Sequence, residues 1–184
     1  MAVRRILSYY DKEDREILKL KSEPVYDIFS EETQNIIEDL KDTLINENEM
    51  WRHDSTRGGI VGLSAIQIGI PKQICVIKYD IYFLTIINPV VTKSRGEIIY
   101  RESCASCPDT YITTHRYQKV WADYYDEKNQ LKHADQGGLF SVILQHEMDH
   151  FEGKCLVGEA ALERMKEEEN NEVIEETQEE SKED

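Results

Sequence analysis

The chain has no apolar run near the roughly 20 residues that a bilayer-spanning helix requires, so a spanning segment is not expected. Arg4 and Arg5 are followed by Asp11, Glu13 and Asp14, with no apolar stretch or small-residue cleavage site, and no export or transit signal is read there. Cysteine is scarce as well. Cys75, Cys104, Cys107 and Cys155 are too few and too irregularly spaced for a disulfide framework. This points to a reducing, cytoplasmic setting and makes metal binding the better use of a clustered polar cysteine. Basic residues are in deficit, 22 against 37 acidic ones, giving a formal net charge of -15. Phosphate recognition relies on Lys and Arg, so nucleic acid is not expected as a direct partner, and no membrane partner is expected either.

What is present suits a single soluble domain of 184 residues, with 40% hydrophobic and 32% charged residues. The acid is unevenly spread. From Glu159 to Asp184 there are 12 acidic residues against Arg164, Lys166 and Lys182, with few large apolar side chains and no aromatic. The expected organisation is therefore a catalytic domain over 1–158 and an acidic, disordered tail over 159–184.

Ser30 is placed to cap a helix running to about Glu47, since Ile36, Ile37, Leu40 and Leu44 recur at helical spacing behind acidic first-turn residues. Short β-rich segments follow at 73–79, 81–87, 97–100 and 118–125. A second helix is predicted after Gly137-Gly138, stopping at Gly153. The fold class is α+β: mostly antiparallel sheets packed around a central helix that carries a His-Glu-x-x-His motif.

That motif is Gln145-His146-Glu147-Met148-Asp149-His150. Histidines four apart on a helix share one face and can converge on one metal ion, while the intervening Glu147 can reach a water without being a ligand. A hydrolytic site of this type needs a third protein ligand and an open position. Cys104, just after a predicted strand, is the candidate; Cys75 and Cys155 read as small buried hydrophobes. Cys104-Ala-Ser-Cys107 together with the two histidines could also form a closed Cys2His2 structural zinc site. Against this, 38 residues separate Cys107 from His146, well beyond the usual spacing of about 12 to 15. Gln67, a lone amide in the apolar stretch Gly58 to Pro71, is read either as a buried structural hydrogen bond or as an oxyanion donor.

Taken together, the segments Gly58 to Gln67, Glu102 to Ser106 and Gln145 to His150 resemble the three signature motifs of the peptide deformylases: Gly-x-Gly-Leu-Ala-Ala-x-Gln, Glu-Gly-Cys-Leu-Ser and Gln-His-Glu-x-Asp-His. The resemblance runs from Arg4-Arg5-Ile6-Leu7 through Ile87-Asn88-Pro89-Val90 to about Val157. It implies one divalent metal ion per chain, Fe2+ in the cell with Zn2+ or Ni2+ able to replace it, bound by Cys104, His146 and His150. Glu147 would be general base and acid, with Gln67 and the Ala105 N–H as oxyanion donors. Val61, Gly62, Glu102, Ser103, Leu139, Val142 and Ile143 would line the substrate pocket, the aliphatic ones being readable equally as core. The implied reaction is hydrolysis of N-formylmethionyl peptides or nascent chains to formate and a free amino terminus, with the ribosome as a possible site of action in a bacterial or phage-infected cytoplasm.

Four motif positions depart from the pattern: Ile60 and Ser64 in the first motif, and Ser103 and Ala105 in the second. Ser103 stands where glycine would allow a positive φ or close backbone approach. A deformylase-like module that binds metal and N-termini but turns over weakly is the alternative reading.

Overall fold

The computed structural model of the chain describes residues 2–51, 61–79 and 82–167. The substituted motif position Ile60 and the tail beyond 167 lie outside the described residues. Two helices precede the sheets, α1 (Lys12–Leu18) and α2 (Glu31–Trp51). Asp11 caps α1 by accepting from the N–H groups of Glu13 and Asp14. The Ser30 Oγ accepts from the Thr33 N–H at 3.2 Å, so α2 begins where its cap was expected. Among the described residues seven strands follow: β1 (Gly62–Ser64), β2 (Ile74–Tyr79), β3 (Tyr82–Arg95), β4 (Ile98–Cys104), β5 (Cys107–Arg116), β6 (Lys119–Tyr125) and β7 (Leu131–Gly137). A single 3-10 turn, Ala65–Ile68, separates β1 from β2. Helix α3 (Leu139–Phe151) starts after Gly138, and a last helix, α4, covers 156–167.

The strands form an antiparallel five-stranded sheet in the order β1-β2-β3-β6-β7 and a separate hairpin, β4-β5. The class is α+β, as expected. β2 explains the layering. Its first four residues are buried on both faces: Ile74 and Val76 pack with Leu40 and Leu44 of α2, whereas Cys75 and Ile77 pack with Leu144 and Phe151 of α3. A strand with a continuous apolar run is suited to that central position. Each large side chain buried there contributes roughly 1.5–3 kcal/mol. The sheet is thus held between α2 and α3, and α3 also touches β5 of the hairpin.

Three expectations need correction. The segment expected to end as a strand at Ile87 continues to Arg95, because a register irregularity between Ile87 and Val90 absorbs Asn88 and Pro89. Asn88 takes φ +50° and its amide pairs with both backbone polar groups of Val25 at 2.7 and 2.8 Å. β5 and β7 fall in polar stretches where no strand was read. Finally, the packed body does not stop at 158. In α4, Val157 and Ala161 are buried and Leu162 packs beside Tyr9, Leu18 and Cys155. The i, i+4 pair at 157 and 161 supplies an apolar face that the acidic composition concealed.

Ala161→Glu places a charge in that buried face and should lower the unfolding free energy by about 2–3 kcal/mol in urea titration. An unchanged midpoint would show that α4 contributes nothing to the body.

Candidate active site

His146 and His150 lie one turn apart on α3, with ring centroids 5.0 Å apart. Cys104 closes β4, and its Sγ is 3.4 Å from His150 Nε2. The donor atoms of Cys104, His146 and His150 all lie within 4.8 Å of one another, so a small inward movement lets one ion of usual bond length, about 2.0–2.3 Å, reach all three. One sulfur and two imidazole nitrogens suit a divalent transition-metal ion.

The electrostatics prepare these donors. His146 Nδ1 lies 2.8 Å from Glu102 Oε2; an ionised carboxylate only accepts, so Nδ1 carries the proton and Nε2 keeps its lone pair for the cluster. Burial and the neighbouring His146 push His150 down to about 4, keeping it neutral. The Cys155 thiol alongside, and burial, push the Cys104 thiol well above its ordinary value, so a cation in the cluster is what would favour its thiolate.

Glu102 is the hub beneath this arrangement. Its carboxylate receives Arg116 Nε at 2.6 Å and a second guanidinium N–H at 2.9 Å, together with the Thr114 hydroxyl and His146. Burial alone would raise its pKa, but these donors, Arg116 foremost, pull it down to about 2. Arg116 also reaches Asp149 Oδ2 at 2.5 Å. Glu102 was expected to line the substrate pocket. It does border the cleft, and both its oxygens are engaged by protein donors, His146 among them. Arg116 was missed by sequence reasoning, and an arginine on an alternating polar strand carries no signal that would have singled it out.

Glu147 is buried beside the cluster, and burial raises its pKa against the opposing pull of His146 and Ser64. The Ser64 hydroxyl donates to Glu147 Oε2 at 2.6 Å. Gly62 has a strict reason to lack a side chain, since a Cβ there would stand 2.4 Å from Glu147 Oε1. Gln67 is held through its Oε1, which accepts the Ser64 N–H at 2.9 Å, leaving its NH2 directed to Cys104 Sγ at 3.5 Å and Ser106 Oγ at 3.2 Å. These are the buried structural hydrogen bonds expected of Gln67, and its side chain also borders the cleft.

A cleft of about 260 Å³ opens over these groups. It is lined by Val61, Gly62, Gln67, Glu102, Ser103, Cys104, Ala105, Leu139, Val142, Ile143, His146 and Glu147, so every expected site residue except the buried His150 borders it. Ala105 lies in the two-residue turn between β4 and β5. Ser103 sits at the register irregularity between Glu102 and Cys104 but has no positive φ, so the loss of glycine there introduces no left-handed backbone strain. Cys75 is core, as expected. Cys155 is buried too, but its Sγ is 3.9 Å from Cys104 Sγ, a proximity the sequence did not reveal. Cys107 packs in the same apolar cluster.

A Cys-His-His donor set beside a buried carboxylate, at the floor of an open cleft, has the makings of a mononuclear metal-dependent hydrolase. The comparisons narrow this class. The polypeptide deformylase family profile matches residues 3–169. The peptide deformylase of Aquifex aeolicus is 33% identical over 148 residues, covering 77% of this chain and 80% of its own. That of Heliobacterium modesticaldum is 33% identical over 157 residues, covering 85% and 93%. The crystal structure of a peptide deformylase from Legionella pneumophila superposes with a TM-score of 0.72 at 30% identity, covering 92% of this chain and 98% of its own. A Synechococcus elongatus peptide deformylase solved in complex with actinonin gives 0.71 at 25%, covering 88% and 85%. The chain belongs to the polypeptide deformylase family and is a hydrolase.

Three outcomes follow from the geometry. Ser64→Ala removes a hydrogen bond that favours ionised Glu147, so the carboxyl pKa rises further and the acidic limb of kcat/KM should move to higher pH; an unmoved limb would show that Glu147 ionisation does not limit the reaction. Arg116→Met should weaken metal binding roughly 10- to 100-fold by freeing Glu102 and His146, as measured by competition with a chelator. Because the folded-state pKa of Glu102 is depressed, its contribution to stability is full above its ordinary 4.5 and lost as pH falls towards about 2, so acid titration of the same variant should lack that component.

Proposed function

We propose that the chain removes the formyl group from N-formylmethionyl peptides and nascent chains by metal-assisted hydrolysis, with Cys104, His146 and His150 as metal ligands. The observation that carries this reading is the convergence of those three donors beside buried Glu147 in a chain of the deformylase family. When bound, a divalent ion supplies a Lewis acid and a water of lowered pKa.

The chain's own groups perform the remaining work. Glu147, whose carboxyl is already raised by burial, accepts the proton of the attacking water at Oε1 or Oε2 and returns it to the leaving nitrogen. The Gln67 NH2, anchored by the Ser64 N–H, and the Ala105 N–H donate to the oxygen that becomes negative as the formyl carbon turns tetrahedral. Val61, Leu139, Val142 and Ile143 offer the methionine side chain an apolar wall, while Gly62 keeps the space beside Glu147 clear. Fe2+ is the metal proposed for the cell, with Zn2+ or Ni2+ as substitutes compatible with the same donors. Among the described residues no helix is long and apolar enough to cross a membrane. We place the reaction in the cytoplasm, acting on chains as they leave the ribosome.

Formate release from a formyl-Met peptide, measured with metal content on anaerobically purified protein, tests the reading. Glu147→Ala should abolish release while retaining metal, and Cys104→Ser should lose metal. Cys107→Ser should keep both, whereas loss of folding in that variant would favour a closed structural zinc site. Release no greater than that of Glu147→Ala would sink the enzymatic reading in favour of a weakly active binding module.

A further inference from the structure

The reaction proposed above uses one of three reduced thiols gathered where β4 ends. Cys107 and Cys155 share a buried cluster with Cys104, and neither takes part in a catalytic step. Cys104 and Cys107 both border the cleft, Cys104 being the more exposed at 5% against 0%, whereas Cys155 is 2% exposed and is not part of the cleft wall. The sulfurs of Cys104 and Cys155 are 3.9 Å apart. A disulfide requires about 2.05 Å, a closing movement of roughly 2 Å. Both residues stand at points where regular structure gives way. Cys104 is followed by the two-residue turn into β5, and Cys155 lies in the short connection between α3 and α4.

We propose that Cys104 and Cys155 form an oxidative modification pair, converted by a hydroperoxide entering the cleft into a disulfide that takes the Cys104 sulfur out of the metal-binding cluster. In the first step the Cys104 sulfur attacks a peroxide oxygen and the O–O bond breaks. Cys104 becomes a sulfenic acid, and an alcohol, or water from hydrogen peroxide, departs. In the second step the Cys155 sulfur attacks the Cys104 sulfur and displaces the hydroxyl group, which leaves as water with the Cys155 proton. Two thiols are oxidised, one hydroperoxide is reduced, and a dithiol reverses the bond by exchange. Cys155 thereby protects Cys104 from irreversible over-oxidation. Formation of the pair rests on its geometry; its effect on metal rests on the reading of Cys104 as a ligand.

The test is to treat the zinc-loaded full chain anaerobically with hydrogen peroxide and follow released zinc, free thiols and non-reduced peptide maps. Zinc keeps the metal redox-inert, so the oxidant acts on sulfur. The expected result is a linked peptide joining Cys104 to Cys155, loss of two thiols in step with zinc release, and recovery of both after dithiothreitol and fresh zinc. In Cys155→Val the Cys104 peptide should instead gain oxygen and stay oxidised in dithiothreitol. The proposal is overturned if the unaltered chain accumulates oxygen on Cys104 as that variant does, or if the linked pair contains Cys107. A Cys104–Cys155 link formed with zinc retained would support the pair and overturn Cys104 as a ligand.

Discussion

The buried Glu102 carboxylate, clamped by Arg116, is the interaction on which the site depends. It ties the β4-β5 hairpin to α3: Glu102 lies on β4, Arg116 on β5, and His146 and Asp149 on α3. The β4-β5 hairpin belongs to neither edge of the five-stranded sheet, so this ion network fixes its place against α3, while the apolar cluster around Cys104 packs it beside α1 and α4. Burying such charges carries a desolvation cost of several kcal/mol per ion, which the pairing offsets without a guaranteed surplus. What the arrangement secures is orientation: His146 is held in one tautomer and Cys104 arrives beside it. Asp149, within the motif but without a ligand's task, completes the clamp from the other side of Arg116.

The large sheet serves as the rigid backing. With α2 on one face and α3 on the other, β2 is immobilised by burial on both sides, and α3 presents its histidines from a helix whose apolar face is already committed. β1 and the 3-10 turn then bring Gly62, Ser64 and Gln67 to the same floor. Ser64, a departure from the family pattern, is here a donor to Glu147, so the substitution changes the surroundings of that carboxylate without altering the Cys104, His146 and His150 cluster.

Legibility in the sequence followed the strength of the local pattern. The start of α2 and the boundaries of α3 were readable because Ile36, Leu40 and Leu44 repeat at helical spacing behind Ser30 and Gly153, at φ +71°, stops the second helix, whereas α2 runs on to Trp51, past the expected end at about Glu47. The metal-site candidates were readable because two of them share a helix face. By contrast, β5 and β7 carry few apolar residues and no regular apolar alternation, and α4 hides two buried small or branched side chains in an acidic run. The function of Arg116 and the nearness of Cys155 to Cys104 arise from contacts between residues 14 and 51 positions apart, which no local spacing encodes.

The central claim is that Cys104, His146 and His150 alone from the protein hold the ion and leave a position open for water. X-ray absorption at the metal edge of the loaded chain measures this directly. One sulfur and two imidazole nitrogens, with a further light-atom donor from solvent, is the expected shell; a shell with two sulfurs would contradict it by bringing Cys107 or Cys155 onto the metal and closing the site to water.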